Sequence, residues 1–273
     1  MITVIQAAFL GLLQGVSELF PVSSLGHSIL FPKLFGWNIS LDAPNFLSFI
    51  VLTHLATALV LLGFYWKEWF MIIRGVLQRD VLYTKLLTLL VIGTIPAGLL
   101  GLIFEHKLRA LFSTTWIVSV CLILNGVFLF AIEKYKGTKV ANKKIETLSF
   151  LQACKIGVLQ SFALIPGFSR SGFSMGGGLI EGLDHSQAVR FSFLLATPII
   201  LAASVLEIPK LFHQQDIAQK SISSGSLFVG VVCAAVGAYV AVRFLEKFVQ
   251  TKNLKPFAYY CIGFGFLAVF LLK

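Results

Sequence analysis

The sequence predicts an all-α integral membrane protein with six transmembrane helices, two re-entrant helical hairpins and an inverted-topology repeat. Composition, charge distribution and internal similarity carry that prediction. Of 273 residues, 57% are hydrophobic, 12% are charged and 26 are phenylalanine, and mean hydropathy is +0.88. Soluble domains carry about 25% charged residues. A chain this apolar has more greasy surface than a body of its size can enclose, which excludes a water-soluble globular enzyme.

The formal charge of +10 does not indicate a nucleic-acid partner. The basic residues sit in short loops between apolar runs and form no aromatic-flanked groove. Cys121, Cys154, Cys233 and Cys261 are scattered and read as small core residues, not as disulfide or metal ligands. Residues 1–17 are apolar but lack the basic start of a signal peptide, the first cation being Lys33, so they are expected to remain in the mature chain.

Taken in order, residues 1–37 are apolar but broken by Pro, Gly and Ser. Each half is too short to cross a bilayer comfortably, which predicts a hairpin that enters and leaves on one side. Phe46–Trp66, Leu86–Phe104 and Trp116–Ile132 then read as spans free of Asp, Glu, Lys and Arg. Residues 150–184 repeat the broken pattern of the first segment. Phe191–Leu206, Ser221–Val242 and Pro256–Leu272 complete the spans. Pro96 and Pro198 fall inside spans, where a kink is tolerated if neighbours satisfy the freed carbonyl.

With both hairpins re-entrant, the loops at 67–85, 133–155, 181–190 and 243–255 share one side and carry 15 Lys/Arg, against six on the other (Lys33, Lys107, Arg109, Lys210, Lys220 and Lys273). The positive-inside rule makes the first side cytoplasmic and both termini external. Internal similarity agrees. Gly11-Leu12-Leu13-Gln14 matches Gly157-Val158-Leu159-Gln160, and Ser48–Thr53 resembles Ser192–Thr197. The chain thus reads as one membrane domain, with repeat one over about 1–132 and repeat two over about 150–273. Each repeat is a hairpin plus three spans, and three is odd, so the second copy is inverted.

The candidate chemistry sits at the two breaks. Gln14 and Glu18 are four apart and share a helix face. Pro21 ends that helix, and Ser23 or Ser24 can cap the next, whose free N–H groups favour an anion. His27 follows in its first turn. The second break reads Pro166-Gly167-Phe168-Ser169-Arg170-Ser171-Gly172-Phe173-Ser174. Broken helices meeting from opposite faces form an anion site, and the arginine fork suits phosphate oxygens. Glu18 and Arg170 are isolated charges in apolar surroundings, costly unless they find partners or water. Ser24 can serve as nucleophile or as cap; Gln14 can orient Glu18 or a metal; Ser169 and Ser171 are phosphate donors. Gly176–Gly178 reads as close helix packing. His54, within a span, is assigned to structural hydrogen bonding. Glu105, Glu133, Glu181 and Glu207 are expected at solvated span ends, and His106, His185 and His213 in solvated loops.

These residues resemble a known family, the bacterial undecaprenyl-diphosphate phosphatases linked to bacitracin resistance. The resemblance rests on Gln14-x-x-x-Glu18, on Pro21-Val22-Ser23-Ser24-x-Gly26-His27 and on Pro166-Gly167-x-Ser169-Arg170-Ser171, and it covers nearly the whole chain. Gln14 replaces a frequent Glu, Leu25 a frequent Thr, and Ser174 a common Thr. The resemblance implies removal of the terminal phosphate of undecaprenyl diphosphate, recycling the carrier for cell-wall synthesis. It implies catalytic Glu18, Ser24, His27 and Arg170, with the phosphates held by Ser23, Ser169, Arg170, Ser171 and Ser174. The nucleophile stays open between Ser24, His27 and water. A divalent cation, Mg²⁺ or else Ca²⁺, is implied at Glu18. The implied setting is the bacterial cytoplasmic membrane with the site facing outward; the lipid and the bilayer are the partners, and a homodimer is left open. The competing function is a polyprenyl-phosphate flippase without hydrolysis, built on the same inverted repeat.

Overall fold

A computed structural model describes residues 2–39, 44–110, 114–136, 143–215 and 222–272, excluding the side chains of 44–45, 105–110 and 210–215. Lys139, Lys220, Ser221 and Lys273 therefore lie outside the described residues, as do the side chains of Glu105, His106, Lys107, Arg109, Lys210 and His213.

The described residues form α1 (Val4–Leu19), α2 (Ser24–Leu34), α3 (Pro44–Phe64), α4 (Trp66–Leu77), α5 (Val81–Ala110), α6 (Thr115–Lys136), α7 (Phe150–Ser161), α8 (Arg170–Ile180), α9 (His185–Gln215), α10 (Ser224–Phe248) and α11 (Lys255–Leu271), with single 3₁₀ turns at Ile145–Thr147 and Phe162–Leu164. Five helices are long and apolar enough to cross a membrane: Phe46–Phe64, Val81–Phe104, Thr115–Lys136, His185–Pro209 and Ser224–Phe248. Together they make this a multi-pass membrane protein. The sixth expected span is α11, a shorter apolar helix of 17 residues. The helices overrun the expected spans because charged residues end a hydrophobic run without ending a helix.

One expectation is corrected outright. The stretch 67–85 is not a loop: α4 fills most of it. Lys67, Glu68 and Arg74 broke its hydropathy, yet Ile72 and Gly75 are buried while Trp66, Phe70, Ile73 and Leu77 face outward. Glu133 and His185 are corrected too. Glu133 is 7% exposed, and its Oε1 accepts from His185 Nε2 at 2.7 Å and from the Leu254 N–H at 2.8 Å, while Lys136 Nζ lies 2.8 Å from His185 Nδ1. A buried carboxylate needs such donors.

Both broken segments fold as helical hairpins. Thr3 and Gln6 close a capping box on α1, and Ser149 and Gln152 close another on α7. The Phe9 ring packs against Phe31, Phe35 and Trp37 at 5.6–5.7 Å between centroids, so α2 ends back beside the first half of α1. Gln152 Nε2 donates to the Glu181 carbonyl at 3.3 Å, so α8 likewise ends beside the start of α7. Hairpin one lies against α10, where a Cβ at Gly11 would collide with the Gly230 carbonyl and one at Gly15 with that of Ala234. The rising register makes α1 and α10 parallel. Hairpin two lies against α5 by the same device, Gly157 meeting the Gly93 carbonyl.

The hairpins insert from opposite ends of the bundle. Ile2 bridges to Ile222, just ahead of α10. Lys143, ahead of hairpin two, bridges to Leu183, just ahead of α9. The Tyr65 hydroxyl, at the end of α3, donates to Glu246 near the end of α10, and its ring packs 6.3 Å from Phe193 of α9. The start of α9 and the end of α10 therefore share one end, opposite the Ile2–Ile222 bridge. Gly176, Gly177 and Gly178 do pack closely, against Phe128 and Ile132, Ile156 and Leu159, and Leu183 and Ala188 respectively.

Candidate active site

The two hairpin tips meet in the interior. Phe20–Ser23 links α1 to α2, and Phe162–Ser169 links α7 to α8. Each second helix starts the same way: Ser23 Oγ accepts from the Gly26 N–H at 3.2 Å, and Ser169 Oγ from the Gly172 N–H at 3.1 Å. The N–H groups of Ser24, Leu25, Arg170 and Ser171 open these helices and have no intrahelical acceptor. Ser23 sits at φ +71°, a strained backbone for a non-glycine residue. Gly167, at φ +102°, lies where a Cβ would collide with the Val118 carbonyl, so only glycine fits that corner.

Glu18 is the hub. Its Oε2 accepts from Ser24 Oγ at 2.5 Å and Gln14 Nε2 at 3.1 Å, and lies 3.2 Å from His54 Nε2. Its Oε1 accepts from Arg170 Nη2 at 2.7 Å. Arg170 and Glu18 come from different hairpins, so this ion pair crosses the junction. His54 Nδ1 is 2.8 Å from the Ile50 carbonyl. Both atoms facing the imidazole are acceptors, an arrangement that a doubly protonated ring satisfies with two donated bonds. The carboxylate thus stands between the Arg170 guanidinium and the His54 imidazole, a setting suited to an anionic ligand.

These groups line a cavity of about 240 Å³ that also touches Ser17, Ser23, Ser169, Ile50, Ile199 and Ala203, with Glu207 at its far end. The wall near Glu18 is polar, and the wall toward α3 and α9 is apolar. Such a shape takes an anionic head with a greasy tail.

The other predicted residues fall elsewhere. His27 is 1% exposed and does not line the cavity. Its Nδ1 contacts the Ser23 carbonyl at 2.7 Å, its Nε2 the Tyr260 hydroxyl at 2.8 Å, and its ring stacks on Phe264 at 5.0 Å. It braces the strained turn that carries Ser24. Ser171 Oγ donates to the Phe20 carbonyl at 2.8 Å, tying tip to tip, and Ser174 Oγ pairs with Ser192 Oγ at 2.6 Å; neither lines the cavity.

Sequence reasoning weighed a cavity-facing His54 and preferred structural hydrogen bonding, and it passed over Asn125. His54 is the one histidine inside the six expected spans, and Asn125 is their one side-chain amide; that solitude was the available signal. Asn125 is fully buried. Its Nδ2 donates to the Pro21 carbonyl at 3.0 Å and its Oδ1 accepts from the Ser169 N–H at 3.0 Å, so one side chain holds both breaks.

The described residues form no all-protein cage for a divalent ion: both Glu18 oxygens are engaged, with Arg170 and His54 as neighbours, and no group of three His, Cys, Asp or Glu side chains gathers among them. Mg²⁺ keeps several waters and is held by one or two carboxylates together with substrate phosphates, so Glu18 is the residue here that would hold such an ion beside a bound phosphate group.

The class that results is a multi-pass membrane protein with a serine–carboxylate pair beside an arginine and a histidine where its broken helices meet. The chain belongs to the family described as bacitracin resistance protein BacA, whose profile matches residues 7–267. It is 44% identical over 266 residues to undecaprenyl-diphosphatase 2 of Chromobacterium violaceum, covering 96% of each chain. It is 44% identical over 271 residues to undecaprenyl-diphosphatase 2 of Burkholderia ambifaria, covering 97% of this chain and 96% of the relative. It is 40% identical to undecaprenyl-diphosphatase of Granulibacter bethesdensis over 285 residues, with the same coverage.

Proposed function

We propose that this chain is a membrane phosphatase that hydrolyses undecaprenyl diphosphate to undecaprenyl phosphate and inorganic phosphate, returning the carrier to cell-wall synthesis and conferring bacitracin resistance. The observation that carries this reading is the Ser24 hydroxyl bonded to Glu18 beside Arg170 and His54 in one cavity. A carrier that only moves a phosphate needs cations and helix dipoles, not a hydroxyl held against a base.

The diphosphate lies against Arg170, Ser169, Ser23 and the opening N–H groups of α2 and α8, which neutralise charge developing on the transferred group. Ser24 Oγ attacks the terminal phosphorus as its proton passes to Glu18; the bond to the bridging oxygen breaks, and the departing lipid phosphate takes that proton. Water then attacks the phosphoseryl group, losing its proton to Glu18, which returns one to Ser24 Oγ as phosphate leaves. His54 holds Glu18 in place and adds positive charge. The prenyl tail runs along Ile50, Ile199 and Ala203.

The setting follows the same reading. α3, α5, α6, α9, α10 and α11 cross the bilayer, α11 somewhat short, and the two hairpins are re-entrant and related by inversion. Support comes from the exchange of partners: hairpin one packs on the second span of repeat two, hairpin two on the second span of repeat one, through Gly11 and Gly157 at equivalent places. The cavity opens at the end of the bundle with fewer basic residues, which is the external side of a bacterial cytoplasmic membrane.

The test is phosphate release from a polyprenyl diphosphate by purified protein in detergent, with and without a chelator. Wild type releases phosphate, and the chelator arm reports any need for Mg²⁺ or Ca²⁺. Ser24→Ala falls by at least about 10³-fold, and a trapped phosphoenzyme carries its label on Ser24. No release under any divalent ion would defeat the reading; a label on His27 would move the nucleophile.

A further inference from the structure

At the opposite end of the bundle from the catalytic cavity lies a second, larger one of about 740 Å³, built from the end of α3, the start of α4 and the last turns of α10. Its wall combines aromatic residues, Phe64, Trp66, Tyr239 and Phe244, with the charged Arg243, Glu246 and Lys247. The aromatic residues are not core. Trp66 is 57% exposed, and Tyr239 and Phe244 are each 49% exposed.

The charges do not cancel. Arg243 donates through Nη1 to the Tyr239 hydroxyl at 3.0 Å and lies 5.6 Å from that ring centroid. Its remaining guanidinium donors have no acceptor among the described residues. Lys67 leans over Trp66 at 5.8 Å. Glu246 is the one carboxylate in the wall, and it already accepts from the Tyr65 hydroxyl. Within the wall, Arg243 and Lys247 against Glu246 leave one net positive charge, with Lys67 close by over Trp66.

Position decides what could answer it. The pocket sits where spanning helices end, with Val236 and Val240 exposed one and two turns further in along α10. Tryptophan and tyrosine with arginine and lysine at that depth mark the boundary between hydrocarbon and headgroups. A ligand there has an apolar part against Val240 and Phe244 and an anionic part against Arg243 and Lys247. We infer that this pocket is a binding site for the phosphate headgroup of an anionic phospholipid in the leaflet opposite the active site.

Trp66 is a built-in probe. The full chain is reconstituted in nanodiscs containing phosphatidylglycerol or phosphatidylcholine brominated on the acyl chains, at equal mole fraction. Quenching that disappears in Trp66→Phe is read. The inference expects that component to be stronger with the anionic lipid, reflecting local enrichment of about fivefold or more. It expects Arg243→Gln/Lys247→Gln to abolish the preference while phosphate release in detergent is unchanged. Equal quenching by the two lipids in the wild type overturns the site without needing any variant, as does a preference that survives the double substitution. Loss of the preference on adding inorganic phosphate assigns the pocket to a soluble anion and also overturns it. The quenching outcomes stand apart from the phosphatase reading, on which only the phosphate-release control rests.

Discussion

Glu18 accepts four donors at once, and the identity of each tells what the carboxylate is for. Gln14 is informative because the family resemblance leads to the expectation of a Glu at that place. A second carboxylate would repel Glu18, whereas the Gln14 amide donates to it at 3.1 Å. In this chain charge balance rests on Arg170 and His54 instead. Arg170→Ala is therefore expected to lower kcat/KM by about 10²–10³-fold or more, since the anionic group loses its principal cation; near-normal kinetics in that variant would misplace the phosphate site. His54→Gln keeps a donor toward Glu18 but removes the charge. Its expected signature is a fall in kcat of about tenfold or more, together with weaker inhibition by product phosphate. A variant that lost only thermal stability would return His54 to a structural role.

Among elements, the two tips are the part most legible in the sequence, because proline, glycine and capping serine leave local signatures. Pro21, Gly167 and Ser169 do what their residue types imply, and Ser23 caps as expected but on a backbone, φ +71°, that serine rarely adopts. Side-chain destinations were less legible. Ser171 and Ser174 carry the same hydroxyl as Ser169, but only the packing of α1 and α9 decides that one binds the Phe20 carbonyl and the other Ser192. The resemblance implies a catalytic His27, while the fold sets its ring against Tyr260 and Phe264 of α11, over two hundred residues away, a placement that no local signature announces. α4 escaped because charged residues interrupt its apolar face, so that by hydropathy the amphipathic helix reads as a loop. Asn125 gives the sharpest test at this scale. Asn125→Ala strands the Pro21 carbonyl and the Ser169 N–H, each costing about 1–3 kcal/mol when buried without a partner. It should lower both the melting temperature and kcat. Asn125→Asp retains the acceptor for Ser169 and should recover part of the activity; equal loss in both variants would argue against a role in aligning the tips.

For the whole molecule, the prediction concerns sidedness. In a background with Cys121, Cys154, Cys233 and Cys261 replaced, single cysteines at the exposed positions Thr3, Asn38, Lys144 and Lys252 can be labelled with a membrane-impermeant maleimide. Thr3→Cys and Asn38→Cys should react from the same, external side, and Lys144→Cys and Lys252→Cys only after permeabilisation. Thr3 and Asn38 on opposite sides would make hairpin one a crossing and dismantle the inverted arrangement. The lodging of Gly11 and Gly15 against α10 also has a bearing on biogenesis. The ribosome delivers the first hairpin about two hundred residues before the helix that shelters it, a long wait for a broken, polar-tipped segment in a nascent chain. Each half lacks the helix on which its own hairpin packs most closely, so the halves expressed separately should be degraded and expressed together should reassemble, each lending the other its missing wall.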